Sequence, residues 1–289
     1  MILQFLLNGL ISGILYSLLA IGFTLVYNTT RIFHIAAAAL YVCAAYAFFF
    51  FTHTCNMPIS IAFVLAIAIT MLSSLLVEKN VYLPLKNKKA SLNVMMIASI
   101  GVMTILVNII AMFFGNETKV IDNSIQQTYT IYNLIITTPQ AYQASIGILA
   151  IVAFILFILF SRWGLQFQAL SNDDVLFETL GYDMKRTRAF IFLLSGMFIA
   201  LASCLTVYDV GLDPHMGMNV LINAMVAMII GGAGRFSACV IGGLILGELQ
   251  ALVVYQFASN WQNAITFIVL LLFLFLRPQG IAGYKLRTV

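Results

Sequence analysis

Long uninterrupted apolar runs, several of them about 20 residues in length, are the feature that most limits how this chain can fold. A helix of about that length crosses a hydrocarbon layer about 30 Å thick. Only helices and closed barrels satisfy their backbone hydrogen bonds in lipid, and these runs lack the alternating pattern of a barrel strand. Charged residues make up only 8% of the chain, whereas soluble domains carry about 25%. The sequence therefore predicts an all-α, polytopic transmembrane helical bundle.

Polar breaks divide the chain, which we interpret as a single domain of residues 1–289, into about nine spans. The predicted spans are residues 3–26, 33–52, 58–77, 93–114, 142–161, 189–208, 218–233, 237–257 and 262–276. The Ala-rich second span and the seventh span, which Gly231 and Gly232 interrupt, predict one or two short or interrupted helices. The first run lacks a preceding Lys or Arg and a small-residue cleavage site, so we expect a retained span and not a signal peptide.

The positions of Lys and Arg predict the orientation of the chain, because cytoplasmic loops accumulate basic residues. With the N-terminus outside and the C-terminus inside, every basic residue except Lys119 falls on the cytoplasmic side, including Lys285 and Arg287. The outer segment 115–141 is polar and long enough to have structure of its own. The outer loops carry acidic residues, namely Glu117, Asp122, Asp209 and Asp213. The net charge of +4 therefore reflects membrane topology and not nucleic-acid binding.

The inner segment 162–188 predicts a short amphipathic helix at about residues 172–181. Asp173 and Asp174 suit the first turn of a helix, and Gly181 suits its end. Helical spacing gathers four side chains on one side, namely Val175, Leu176, Thr179 and Leu180. A helix resting on lipid usually has a polar face rich in Lys and Arg, whereas this one is acidic. A protein partner is therefore favoured over a lipid surface.

Small residues recur at four-residue spacing in two spans, with Gly9, Gly13 and Ser17 in the first and Gly243, Gly247 and Ala251 in the eighth. Small residues at this spacing allow helices to approach closely in lipid. Close helix packing is the simpler interpretation, and a tightly packed core around a pathway is the functional one.

Few polar side chains interrupt the spans. Asn8, Ser12 and Tyr16 form a stripe on the first span, His34 opens the second, and Asn223, Glu248 and Gln250 lie in the seventh and eighth. Glu248 is the only acidic residue inside a predicted span, and an ionisable group in lipid is a functional candidate by default. Packing accounts for Glu248 almost equally well, and His34 is either an interfacial or a pathway residue. We take Asn8, Tyr16, His34, Asn223 and Glu248 as candidate pathway residues.

Several enzyme signatures are missing from the sequence. It contains no Gly-Lys-Ser or Gly-Lys-Thr, hence no phosphate-binding loop, and neither an HExxH helix nor a GxSxG elbow. The four cysteines form no CxxC pair, so no metal site is indicated. We expect no catalytic residue in the chain, and any energy for transport must come from a partner.

A series of short motifs runs through nearly the whole chain, namely Asn8-Gly9-Leu10, the predicted loop 78–85, Leu180-Gly181-Tyr182-Asp183, Gly231-Gly232-Ala233-Gly234 and Arg277-Pro278-Gln279-Gly280-Ile281. Their order and spacing resemble the permeases of branched-chain amino acid type ATP-binding-cassette importers, including the urea and amide relatives. The resemblance implies a multi-pass protein of the bacterial plasma (inner) membrane that translocates a small amino acid or amide-like solute into the cytoplasm. It also implies a second permease, identical or homologous, two cytoplasmic ATPases that use ATP and Mg, and a periplasmic or extracellular substrate-binding protein. No cofactor is implied in this chain itself.

In such importers the segment from Asn172 to Gly181 looks like the coupling helix that docks on an ATPase. The residues assigned to this contact are Asp173, Asp174, Leu176, Glu178, Leu180 and Gly181.

The sequence departs from the family pattern at positions that bear on substrate. Residues 34–39 read His-Ile-Ala-Ala-Ala-Ala where the family usually shows Asn-Phe-Ala-His-Gly-Glu, and Asn223 stands where lysine is common. An acidic residue expected at Gln250 is displaced to Glu248. A branched-chain amino acid is the favoured substrate among small amino acids and amides. A stand-alone carrier or channel and a non-transporting scaffold subunit are the alternatives.

Overall fold

The computed structural model describes residues 2–121, 127–131, 134–232, 234–277 and 279–282. Five residues used in the predictions above lie outside the described residues, namely Asp122, Ala233, Pro278, Lys285 and Arg287. The helices and strands are α1 (Ile2–Thr30), α2 (Ala37–Phe49), α3 (Ile59–Val77), α4 (Leu83–Asn87), α5 (Leu92–Phe114), β1 (Thr128–Ile131), β2 (Leu134–Thr137), α6 (Thr138–Phe160), α7 (Arg162–Asn172), α8 (Asp174–Thr179), α9 (Met184–Val210), α10 (Gly217–Gly231), α11 (Ala238–Gln256) and α12 (Gln262–Leu276).

The polytopic helical bundle predicted from the sequence is confirmed. Within the described part of the chain, eight helical stretches are long and apolar enough to cross a membrane. The helix α10 is apolar but only 15 residues long, in agreement with the short seventh span. The Ala-rich α2 reaches the length of a span only through its π-helical continuation, Phe50–Thr54. The sides of the membrane on which the termini lie stay a prediction.

The first helix is the centre of the bundle. Of the most apolar window of α1, 83% is buried, and this helix packs against α6, α9, α10 and α11. By contrast, α3, α5, α6 and α12 turn most of their apolar side chains outward. Such a large exposed apolar surface suits a lipid environment and contact with other membrane subunits.

The predicted loop at residues 78–85 is wrong, because this segment is helical. A π-helix over Glu78–Tyr82 joins α3 to α4, so that Ile59–Asn87 forms one helical stretch of 29 residues. Pro84 lies just after this π-helix and, lacking a backbone N–H, cannot donate a hydrogen bond to the preceding turn. Charged Glu78 and Lys79 had suggested a break in the span.

Two further elements were not predicted. An antiparallel hairpin of β1 and β2 lies in the polar segment 115–141, which was predicted to face outward, and it pairs Thr128 with Thr137 and Ile131 with Leu134. Its Thr and Ile residues favour strands. The side chain of Gln4 clamps the hairpin to α1, because its Nε2 donates to Ile135 O at 2.8 Å and its Oε1 accepts from Ile135 N at 2.9 Å. The second unpredicted element, α7, precedes the expected inner helix.

Candidate functional site

The two stripes of small residues face each other where α1 and α11 pack. A Cβ atom added to Gly9 would lie 2.7 Å from Cβ of Ala251, and one added to Gly13 would lie 2.9 Å from Cα of Leu244. A Cβ on Gly247 would lie 2.5 Å from Cα of Gly13, and one on Gly243 would collide with Ser17. The backbones of the two helices therefore touch in a way that larger side chains would prevent.

A chain of hydrogen bonds beside this contact links four helices. Tyr16 Oη on α1 donates to Gln250 Oε1 on α11 at 2.8 Å. The amide nitrogen of Gln250 donates to Thr266 Oγ1 on α12 at 2.7 Å and to Asn223 Oδ1 on α10 at 3.3 Å. Two of the candidate pathway residues, Tyr16 and Asn223, are thus joined through Gln250. Buried polar groups that satisfy one another in this way fix the relative positions of their helices.

A cavity of about 440 Å³, here called the α1 cavity, opens on the other side of Tyr16. Its polar lining consists of Asn8, Ser12, Tyr16, Gln140, Gln143, Thr206, Asp209 and Gln262. Its apolar and aromatic lining consists of Ile11, Leu15, Leu19, Tyr41, Val210 and Val220. The predicted stripe of Asn8, Ser12 and Tyr16 therefore forms one wall, and Asn223 lies behind that wall through the hydrogen bonds of Gln250.

Sequence reasoning missed the carboxylate of this cavity. Asp209 had been assigned to an outer loop, but it belongs to the last turn of α9. Gln143 on α6 is buried and donates to Leu205 O at 3.0 Å and to Asp209 Oδ2 at 3.4 Å. The signal was available, since Asp209 is the first residue after the predicted sixth span, which ends at residue 208. The end of a span is the least certain part of such a prediction.

His34 lies away from the α1 cavity. It stands in the connection between α1 and α2, is fully buried, and its Nδ1 is 2.9 Å from Tyr82 Oη. Tyr82 Oη donates to Ser99 Oγ at 2.7 Å, and Ser99 Oγ accepts from the backbone N–H of Ala36 at 2.8 Å. This network ties the start of α2 to the π-helix and to α5.

Glu248 is half-buried on α11 and is also absent from the lining of the α1 cavity. Its Oε2 has no hydrogen-bond partner among the described residues and lies 3.1 Å from the position that a Cβ of Gly9 would take. The expectation that Glu248 would be the only acidic residue in a span is wrong. Glu78 lies inside the helical stretch Ile59–Asn87, and Asp209 lies inside Met184–Val210.

The predicted coupling helix corresponds to α8 together with its flanking residues, here called the coupling segment (residues 172–181). Asp173 begins it, because its Oδ1 accepts from the backbone N–H groups of Val175 and Leu176, both at 2.9 Å. Asp174 lies in the first turn of α8, and Gly181, with a φ of +83°, follows its end in the left-handed region that glycine tolerates. The predicted start at about residue 172 is instead the last residue of α7.

The coupling segment presents apolar side chains to the outside. Leu176 and Leu180 are 55% and 64% exposed, Val175 is also exposed, and Glu178 lies beside them. Phe177 points the other way, is buried and stacks on Tyr182 with ring centroids 5.1 Å apart. The segment is therefore anchored by one aromatic side chain and leaves its leucines unpartnered in this chain.

Two of the glycine motifs meet at the end of α10. Gly232 has a φ of +112° and ends the helix, and a Cβ on Gly231 would lie 2.8 Å from Cα of Cys239. The backbone N–H groups of Ile281 and Ala282 donate to the carbonyls of Ile230 and Gly231 at 2.9 and 3.0 Å. The motif around residue 231 and the motif around residue 280 are therefore held together by backbone hydrogen bonds at the end of α10.

No group of three or more His, Cys, Asp or Glu side chains close enough to hold a metal ion occurs in the ranges that the structure describes.

Comparison with known proteins identifies the family. The family model for "Branched-chain amino acid transport system / permease component" matches residues 5–274. The high-affinity branched-chain amino acid transport system permease protein LivH of Escherichia coli (strain K12) is 28% identical over 295 residues, which cover 97% of this chain and 95% of LivH. The corresponding protein BraD of Pseudomonas aeruginosa is 27% identical with the same coverage. A probable branched-chain amino acid transport permease protein LivH of Methanocaldococcus jannaschii is 25% identical, over 94% of this chain and 90% of that protein.

The fold is shared with a solved structure. A chain of PsaBC from Streptococcus pneumoniae, determined in complex with Fab, matches with a TM-score of 0.56 and 14% identity, covering 96% of this chain and 93% of that one. The family model and the eight apolar helices of the described residues agree on a multi-pass plasma-membrane transport subunit and not an enzyme. This chain belongs to the family of branched-chain amino acid transport system permease components.

Proposed function

We propose that this permease translocates a branched-chain or similar small apolar amino acid into the cytoplasm, through a pathway that includes the α1 cavity. The observation that carries the proposal is the composition of that cavity. One carboxylate and several amides line it together with an aliphatic wall, and a free apolar amino acid has groups that complement each of these.

The polar groups are suited to the two charged ends of an amino acid. The Asp209 carboxylate can accept hydrogen bonds from an ammonium group, and the amides of Asn8 and Gln140 can donate to a carboxylate. The side chains of Ile11 and Leu15 supply a surface for an aliphatic side chain. The cavity volume of about 440 Å³ falls within the usual range of ligand pockets, about 300–1,000 Å³.

The aliphatic part of the cavity wall, which includes Ile11, Leu15 and Leu19, argues against sugars and multiply charged ions. A sugar would bring many hydroxyl groups, and each buried polar group that stays unpaired costs about 1–3 kcal/mol. The departures at Asn223 and Gln250 do not alter this, because these two side chains satisfy each other and Thr266.

The transport cycle needs partners. We infer a second permease, identical or homologous, two cytoplasmic ATPases that bind ATP and Mg, and a substrate-binding protein outside. The exposed leucines of the coupling segment support an ATPase contact, since an exposed apolar patch that has no partner within the described chain favours protein association. The N-out and C-in orientation would put this segment in the cytoplasm.

Uptake of labelled leucine into membranes that contain all partner subunits tests the pathway. Asn8→Ala, Tyr16→Phe and Asn223→Ala should each lower uptake at low leucine by roughly 3- to 10-fold, the effect of one lost hydrogen bond. Asn108→Ala is the matched control, because Asn108 is exposed on α5 and donates only to Thr104 O of its own helix. The ATPases should copurify with the wild-type permease.

Two outcomes would contradict this pathway. Undiminished uptake in both Asn8→Ala and Asn223→Ala would show that the α1 cavity is not part of the transport route. A selective loss in Glu248→Gln would move the site to the part of α11 that carries Glu248, next to Gly9.

A further inference from the structure

The lining of the α1 cavity carries charge of one sign only. Among the described residues, Asp209 is the only lining residue with a full charge at neutral pH, and no Lys, Arg or His lines the cavity. Lys119 comes near the same end of α9, because its backbone pairs with that of Leu212. Its ammonium, however, stands over the ring of Phe49, 5.4 Å from the centroid. Asp209 therefore has no cationic partner in the part of the chain that the structure describes.

The place of Asp209 in α9 adds to this negative charge. Asp209 lies in the last turn of the helix, where backbone carbonyls without helical partners carry a partial negative charge. A carboxylate at that end is unfavourable by itself, whereas a cation beside it is favourable. Tyr16 and Tyr41 also line the cavity, and the faces of aromatic rings attract cations. All of these features favour a positively charged group in the cavity.

Gln143 fixes the position of the carboxylate. It is 3% exposed on α6, and its Nε2 donates to Leu205 O at 3.0 Å and to Asp209 Oδ2 at 3.4 Å. Leu205 lies one turn before Asp209 on α9, so a single amide ties both to α6. Oδ1 of Asp209 receives no hydrogen bond from the described residues and can accept one from a bound group.

Few hydrogen-bond donors of the cavity are left for a substrate carboxylate. The hydroxyl of Tyr16 donates to α11, both hydrogens of the Gln143 amide are used, and the hydroxyl of Thr206 donates to a carbonyl of its own helix at 2.7 Å. The remaining donors are uncharged, namely Ser12, Asn8, Gln140 and Gln262. An ammonium group in the cavity meets an opposite charge, whereas a carboxylate meets neutral donors and the like charge of Asp209.

We propose that the α1 cavity selects its substrate by a protonated amine, with Asp209 as the specificity-determining residue and Gln143 as the residue that positions it. The cavity then takes aliphatic primary ammonium compounds, and the carboxylate of an amino acid is dispensable there. This inference rests on the proposed function, because it concerns the same cavity and the same route. Isoamylamine, which is leucine without its carboxylate, should occupy the cavity better than 4-methylpentanoate, which is leucine without its ammonium group.

Protection of a cysteine in the cavity wall measures occupancy at this site alone. Ser12→Cys is nearly isosteric and puts a thiol into the lining, in a Cys55→Ser background. The complex with the ATPases is used in detergent, without the substrate-binding protein. The rate of labelling by a small uncharged thiol reagent is measured against either compound. Isoamylamine should half-protect at a concentration at least about tenfold lower than 4-methylpentanoate, the effect of one charge-assisted contact.

Two further cysteines check the reporter. Thr206→Cys also lies in the lining, on α9, and should give the same ratio of half-protecting concentrations. Tyr129→Cys lies on the exposed hairpin and outside the lining, so neither compound should protect it.

Substitutions decide whether Asp209 and Gln143 have the proposed roles. Asp209→Asn keeps the size of the side chain and should bring the ratio close to one. Asp213→Asn is the matched control, because Asp213 lies four residues later and does not line the cavity, and it should keep the wild-type ratio. Gln143→Met loses both donated hydrogen bonds and should lower the ratio less than Asp209→Asn. A merely structural role of Gln143 would weaken protection by both compounds equally.

Equal protection by the two compounds, no protection by isoamylamine, or a wild-type ratio in Asp209→Asn would overturn the amine site. If the ratios follow the expected pattern but the complete importer takes up no leucine, the proposed function fails and the amine site stands. If Asn8→Ala and Asn223→Ala lower leucine uptake while both compounds protect Ser12→Cys equally, the proposed function stands and the amine site falls.

Discussion

The guanidinium of Arg188 on α9 and the carboxylate of Glu78, the first residue of the π-helix that follows α3, form a bidentate ion pair inside the bundle. Nε lies 2.6 Å from Oε1 and Nη2 lies 3.1 Å from Oε2, and the side chains are 4% and 3% exposed. The pair joins the long stretch Ile59–Asn87 to the first turns of α9. Arg188 also lines a cavity at the C-terminal end of α1.

Removing one partner of this pair should destabilise the protein strongly. Glu78→Gln or Arg188→Met leaves a buried charge or a buried polar group without compensation, which commonly costs about 3–5 kcal/mol. Thermal unfolding in detergent should show a clearly lower Tm for each variant. The double variant Glu78→Leu with Arg188→Met should lose less than the two single variants together, because no uncompensated charge remains.

The control for that experiment is the exposed pair of Arg186 and Asp183, three residues apart on the chain. Its side chains are 83% and 51% exposed, and exposed pairs contribute about 0–1 kcal/mol. Arg186→Ala should therefore leave the Tm nearly unchanged. An equal loss in Arg186→Ala and Arg188→Met would contradict a special role for the buried pair.

The contact between α1 and α11 should not tolerate larger side chains. Gly247→Val adds atoms where a single Cβ would already lie 2.5 Å from both Cα and N of Gly13. Overpacking typically costs about 1–3 kcal/mol, and here the neighbour is backbone that cannot rotate away. We expect a lower Tm and a lower yield of folded protein in detergent.

Gly101→Ala is the matched control for the α1 and α11 contact. Gly101 lies within α5, and a Cβ added there meets no atom within 4 Å. Because glycine inside a helix costs about 1 kcal/mol relative to alanine, this variant should be as stable as the wild type or more stable. A wild-type Tm for Gly247→Val would show that the two helices can separate without cost.

Features that follow from sequence patterns over a few residues were predictable. Features that depend on contacts between residues far apart in the sequence were not. The lengths of the apolar runs predicted a transmembrane helical bundle. The four-residue spacing of small residues predicted which faces of α1 and α11 pack closely. Glu78 was misassigned to a loop because its partner Arg188 is 110 residues away, and a charge without a visible partner looks like the end of a span. The α1 cavity likewise depends on Gln143 and Asp209, which 66 residues separate.

The orientation of the chain can be tested with single cysteines. Cys55 is exposed between α2 and α3, so the background is Cys55→Ser. In intact cells a membrane-impermeant thiol reagent should label Tyr129→Cys, an exposed position of the hairpin. It should label Lys88→Cys, exposed after α4, only after permeabilisation, and a reporter fused after Val289 should be cytoplasmic. The opposite labelling pattern would reverse the topology.

The exposed leucines of the coupling segment should matter more to the importer than its charges. In the assembled complex, Leu176→Ala or Leu180→Ala should reduce substrate-stimulated ATP hydrolysis by roughly 30-fold, the effect of losing a contact worth about 2 kcal/mol. Glu178→Gln should have a smaller effect, because a rim charge contributes mainly to the rate of association.

Stability measurements must accompany these rates, because a poorly folded permease would also fail to stimulate its ATPases. Leu176 and Leu180 are exposed in the chain alone, so their alanine variants should keep the wild-type Tm. Phe177→Ala should lower the Tm, since Phe177 is buried and its loss leaves a void under α8. If both leucine variants assemble and hydrolyse ATP at the wild-type rate, the ATPases dock elsewhere. If they assemble poorly at an unchanged Tm, the exposed face of α8 is the contact itself, because only the partner would then be missing from an intact fold.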